Sequence, residues 1–271
     1  MSRDKKRGVI IFIYFLIFGS FFSLIYYFLQ PEPTCSDGIK NQLEEGIDCG
    51  NICQVACKKD INAQPIAVDE KYFVYGNKNQ FDVMAEISNP NDKYGAFKFD
   101  YEFKLVDQAN SVLAQKKGSN FILPGESKFI IEMNLQSAIN PYTVNFEITN
   151  VEWDEFLDYE EPKLSIFRKN YTEEVGRGVA TGLVRNESYF NFNSIEVDVV
   201  LRDKNGVPVA LGKNEMRTIN SQEERDFKLI WPYKFSEGVF NVDVKAEANI
   251  FDQYNFIKKE LPSRQFQNYS Y

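Results

Sequence analysis

The residues best equipped for chemistry are four cysteines crowded into one short stretch: Cys35, Cys49, Cys53 and Cys57 lie within 23 residues, and the chain has no others. An even number of thiols confined to one segment reads as two disulfides closing a small, loop-rich knot. Four cysteines allow three pairings, and spacing alone leaves all three open. The rival chemistry is metal. Cys49, Cys53 and Cys57 fall four apart, which on a helix would align three thiols on one face and, with Cys35, offer a zinc or iron–sulfur site. The tight C-x-x-C knuckle of structural zinc is missing, which favours disulfides. The same stretch carries Asp37, Asn41, Glu44 and Asp48. Oxygen ligands at such intervals suit a hard cation such as calcium, although the D-x-[DN]-x-[DN]-G order of an EF-hand is absent. Calcium is the single cofactor expectation; no other cofactor is indicated.

Catalysis is disfavoured by what the chain lacks. It contains no histidine, and so no member of the commonest acid–base, triad and zinc-ligand type. It has no phosphate-cradling glycine loop or nucleophile elbow, and no two carboxylates are marked as a glycosidase pair. The expectation is a protein that is not an enzyme.

The element that must place the knot precedes it. Val9 to Leu29 holds 21 residues without a charge. As a helix it spans roughly 31 Å, close to the roughly 30 Å hydrocarbon core of a bilayer. Arg3, Lys5, Lys6 and Arg7 stand before it, so positive charge predicts a cytoplasmic start and an extracytoplasmic remainder. The run is longer than the apolar part of a cleaved signal peptide and lacks an A-x-A exit, so an uncleaved single-pass membrane anchor is expected. Beyond it stand 27 basic and 38 acidic side chains, a formal net charge of −11. That balance argues against nucleic acid, whose phosphates need a basic face.

From Pro65 onward the period is two. Phe97, Phe99, Tyr101, Phe103 and Leu105 alternate with charged residues. Ile195, Val197, Val199 and Leu201 repeat the pattern, as do Val144, Phe146 and Ile148, and Phe240, Val242, Val244 and Ala246. Each reads as a half-buried strand with a wet outer face. The chain also repeats itself: Asp107 to Ala114 parallels Asp203 to Ala210 at a shift of 96, and neighbouring landmarks drift only to 98. Two copies of one domain with some seven strands each, immunoglobulin-like in size, follow. Phe103, Leu105 and Leu201 should lie in the cores, with Asp107 and Asp203 capping turns. Trp153 and Trp231 read as packing residues. Three Asn-x-Ser/Thr sequons begin at Asn170, Asn186 and Asn268, and are read as chance.

Two resemblances rest on these residues. The segment from Cys35 to Cys57 is similar to a motif, C-x-D-G-x-x-N-x-x-E-x-x-x-D-C-G-G-x-C-x-x-C, of secreted and surface-anchored prokaryotic proteins. Asn51 replaces the second glycine, and the final spacing is one residue longer. The strands around Phe103-Lys104-Leu105-Val106-Asp107 and Val199-Val200-Leu201-Arg202-Asp203 resemble the FxLYD-type β-sandwich domain, the second keeping only leucine and aspartate. The resemblance implies an interaction or spacing module.

The expected organisation is a basic start (1–8), a transmembrane helix (9–29), a cysteine-rich knot (30–61), a first sandwich (62–153), an acidic linker (154–162), a second sandwich (163–260) and a tail (261–271). The expected fold is mainly β. The expected function is a membrane-anchored extracytoplasmic interaction or structural protein engaging an envelope or surface partner. The alternative is a calcium- or ligand-responsive sensor subunit, and an unrecognised hydrolase comes third. No feature fixes the oligomeric state, since the helix lacks a G-x-x-x-G face.

Overall fold

The computed structural model describes residues 3–29, 35–41, 44–55, 57, 61–156, 162–235 and 238–256. The first residues of the expected knot (30–34), most of the acidic linker, the tail and the sequon at Asn268 lie outside these residues. The chain divides into two compact units, Met1–Asp60 and Ile61–Tyr271.

In the first unit α1 spans Arg3–Leu29. Its apolar stretch, Arg7–Tyr27, is long enough to cross a membrane, and none of it is buried against protein. A helix apolar on every side needs either a protein core or lipid around it. After it comes the knot, stapled by disulfides Cys35–Cys53 and Cys49–Cys57. Its tight turns use the left-handed backbone region at Gly38, Asp48, Gly50 and Asn51. Asn51, which stands where the motif has glycine, adopts φ 46°, a conformation that asparagine tolerates better than most residues.

The second unit is antiparallel β. Its strands are β1 (Ala67–Asn77), β2 (Gln80–Ser88), β3 (Tyr94–Val106), β4 (Val112–Ile122), β5 (Ser127–Gln136), β6 (Thr143–Glu155), β7 (Leu164–Glu174), β8 (Arg177–Asn186), β9 (Phe192–Arg202), β10 (Pro208–Ile219), β11 (Glu224–Trp231) and β12 (Asn241–Glu247). They form four three-stranded sheets, β1-β2-β5, β4-β3-β6, β11-β8-β7 and β10-β9-β12. The first two close on a core that includes Phe81, Val83, Phe99, Phe103, Leu105, Ile130 and Phe146. The second two close on Val184, Ile195, Val197, Val199, Leu201, Phe227 and Trp231. The result is two consecutive sandwiches, each with six strands among the described residues rather than seven.

The expected alternation holds along β3 from Phe99 to Leu105, with corrections at Phe97 and Phe240. Phe97 is exposed, because the pairing of β3 slips between Ala96 and Phe99 and turns it out of the core, onto Phe251. Phe240 lies outside β12, which begins at Asn241, and is exposed.

A further correction shapes the unit. The outer faces of β2, β5, β9 and β10 are covered over part of their length. A third apolar cluster joins Val74, Met84, Phe129 and Ile131 of the first sandwich to Val200 and Leu211 of the second. The sheets β1-β2-β5 and β10-β9-β12 thus turn their backs to one another and pack. A side chain that alternation sends away from one core enters another.

Candidate functional site

The motif residues take the places their types suggest. Phe103, Leu105 and Leu201 are fully buried in the two cores. Asp107 Oδ1 accepts from the amides of Ala109 and Ser111 at 2.9 and 2.8 Å. Asp203 Oδ1 accepts from Asn205 and Val207 at 2.8 and 2.9 Å. Each carboxylate satisfies the amides of the turn its strand enters, and backbone donors hold Asp203 below its usual carboxylate range. Trp231 is buried and donates to the Leu211 carbonyl at 3.0 Å; Trp153 packs against the first core.

Two further pairs of residues play matching parts. Asn89 donates to the carbonyls of Tyr94 and Leu123 and accepts from Asn91 N–H. Asn186 donates to Phe190 and Asn220 and accepts from Ser188 N–H. Asn186 is fully buried, so its sequon offers no accessible glycan acceptor. Glu126 accepts from Leu123 N–H, and Glu223 from Asn220 N–H, each at 2.7 Å.

In the knot the four oxygen-bearing residues are brought together. Asp48 accepts from the amides of Asp37 and Gly38 at 2.9 and 2.8 Å. Asp37 accepts from Ile39 N–H and from the Asn41 side chain. Glu44 is buried and accepts from the amides of Asn41 and Asp48, each at 3.3 Å. These carboxylates serve the backbone of a loop too short to pair its own amides.

The richest chemistry lies where the sandwiches meet, at charged residues whose alternation with apolar ones predicts a solvated strand face. Arg202 at the end of β9 grips Glu70 of β1 through Nη1–Oε1 at 3.1 Å and Nη2–Oε2 at 2.7 Å, and places Nε 2.7 Å from Asp243. Lys245 of β12 donates to Glu86 and to Ser127, each at 2.8 Å. Lys128 of β5, 2% exposed, pairs with Glu247 of β12, donates to Asn120 Oδ1 and the Phe121 carbonyl, and stands 3.8 Å over the Phe121 ring. Ion pairs thus rim the apolar centre of the joint.

One corner of this rim is acidic. Glu196, Asp198 and Glu247 bring carboxylate oxygens within 4.8 Å of one another. Asp198 is 2% exposed, and its Oδ1 has no hydrogen-bond partner. Lys213 reaches Glu196 at 2.7 Å and the Ile131 carbonyl of the other sandwich at 3.4 Å. Burial, with Lys213 opposing it, raises the Asp198 carboxyl well above its usual range; burial likewise pushes Glu247 up to about 7 against the pull of Lys128. Burial alone would lower Lys213, but Asp198 and Glu196 outweigh it and hold the ammonium charged. Glu196, Lys213 and Glu247 border a cleft of about 480 Å³.

No protein-family model matches this sequence, and no curated protein does. Solved structures resemble it loosely. The calcium binding domain CBD12 of CALX1.1 is 15% identical with a TM-score of 0.20, covering 66% of this chain and 79% of its own. CBD12 of CALX1.2 is 13% identical with a TM-score of 0.18, covering 65% and 79%. Red sea bream transglutaminase is 12% identical with a TM-score of 0.22; the match covers 70% of this chain and 30% of that enzyme. Superpositions this loose carry no site or ligand from those proteins to this one.

Proposed function

We propose that this chain is a non-enzymatic, membrane-anchored interaction or structural protein. In this reading α1 is an uncleaved anchor, the knot is a disulfide clamp beyond the membrane, and the two sandwiches form one rigid body offered to an envelope or surface partner. The observation that carries it is the joint: an apolar contact between two sheet backs, rimmed by ion pairs from Arg202, Lys245 and Lys128. Sandwiches on a flexible tether need no such contact. A body that must hold a surface at a fixed geometry does.

The basic residues before α1 favour a cytoplasmic start, and two disulfides with no free cysteine suit an oxidising compartment. The matched roles of Asp107 and Asp203, Asn89 and Asn186, and Glu126 and Glu223 support descent of both sandwiches from one duplicated FxLYD-like domain. Protease added to intact cells tests the topology. Digestion of residues 61 to 271 with α1 protected supports this reading, and protection of the β unit sinks it. Cross-linking on those cells, followed by mass spectrometry, then identifies the partner.

A second reading, a cation-responsive sensor subunit, is favoured by the carboxylates gathered at the joint.

A further inference from the structure

We infer that Glu196, Asp198 and Glu247 form a binding site for a hard divalent cation at the joint between the sandwiches, with the Lys213 ammonium as its tethered competitor. Three observations meet here. The three carboxylates offer oxygens within 4.8 Å of one another, and metal–oxygen bonds of about 2.3–2.6 Å place ligands on opposite sides of calcium roughly 5 Å apart. Asp198, almost wholly buried, keeps Oδ1 without a donor, and an unpaired buried oxygen is costly unless something positive reaches it. The cleft bordered by Glu196 and Glu247 supplies an entry path and room for the waters a hard cation retains.

The two lysines differ in kind. Lys128 is held by Asn120 Oδ1, the Phe121 carbonyl and the Phe121 ring as well as by Glu247, so it stays in place and uses one glutamate oxygen. Lys213 has a single short contact, to Glu196, and a long one to Ile131. Its flexible stem lets the ammonium swing into the cleft when a divalent ion takes Glu196. A doubly charged ion holds three crowded carboxylates in their ionised form better than the single charge of Lys213 does.

Because Glu196 and Asp198 belong to β9 and Glu247 to β12, with Lys128 and Ile131 across the joint, the ion would bear directly on the contact between the sandwiches. This inference gives the sensor reading its ligand and rests on it only for the consequence of binding.

The test is calorimetric titration of the detergent-solubilised full chain with calcium chloride after chelation. The expected result is one calcium per chain at this site, binding weakened at least tenfold in Asp198→Asn and tightened at least fivefold in Lys213→Gln. Misfolding cannot produce the second change. Absence of binding in both wild type and Lys213→Gln overturns the site. So does binding that Asp198→Asn leaves unchanged, which would place the ion elsewhere, or binding that Lys213→Gln weakens. Calcium binding that follows both variants yet leaves the distance between spin labels at Tyr142 and Tyr189 unmoved supports the site and removes the sensor reading alone.

Discussion

Arg202 and Glu70 stand 132 residues apart in sequence and meet fork to fork, two nitrogens on two carboxylate oxygens at 3.1 and 2.7 Å. Asp243 occupies the remaining edge of the guanidinium at 2.7 Å. A lysine offers a point charge and cannot reproduce both contacts. Arg202→Met strands two partly buried carboxylates, and a loss of about 2 kcal/mol is expected from urea unfolding, with Arg202→Lys intermediate.

The apolar centre should matter more than the rim. Met84 and Leu211 are fully buried between the sandwiches. Truncating either to alanine leaves a cavity in that contact and should cost about 3 kcal/mol. The double variant should also split one cooperative unfolding transition into two, read by calorimetry, since each sandwich keeps its own core.

Asp82 gives the unit an acid-range signature. It is buried on β2 and accepts from Asn134 N–H at 2.8 Å. Burial raises its pKa above 3.8, and the backbone donor offsets this only in part. The folded state therefore holds the proton more tightly than the unfolded chain. Its contribution to stability is greatest below pH of about 4 and is lost as pH rises through the folded pKa. Asp82→Asn keeps an acceptor for Asn134, and should match the wild type at low pH and exceed it in melting temperature at pH 7. A variant less stable at pH 7 would refute this.

The disulfides should be unequal. Cys35–Cys53 spans 18 residues and Cys49–Cys57 spans 8. On loop-closure entropy the longer bridge contributes about 0.7 kcal/mol more. Chemical denaturation of the Cys35→Ser/Cys53→Ser and Cys49→Ser/Cys57→Ser variants compares them.

Much of this architecture is written locally. Period two marks Phe103 and Leu105 as core, because a strand sends alternate side chains to opposite faces, and Asp107 and Asp203 announce their turns. The joint was legible too, at the places where alternation fails: Phe129-Ile130-Ile131 runs apolar through both faces of β5, Met84 interrupts the outer face of β2, and Val200 that of β9. Such interruptions mean a strand buried on both sides. The acidic corner was not legible. Glu196 and Asp198 have the spacing of a solvated strand face, and only the packing of the first sandwich against β9, with Glu247 arriving from β12, buries Asp198 while Glu196 keeps an edge on the cleft. Nor does cysteine spacing choose a pairing, since loop conformation decides it.

The rigidity of the joint is tested most directly by electron–electron distance measurement on the full chain. Spin labels go in as noncanonical residues at Tyr142 and Tyr189, both exposed and one on each sandwich, so that the four cysteines stay bridged. A rigid joint predicts one narrow distance distribution that broadens in the Met84→Ala/Leu211→Ala variant. A broad distribution in the wild type, unchanged by those substitutions, would mean that the sandwiches move independently, and would contradict the proposal that they present one fixed surface.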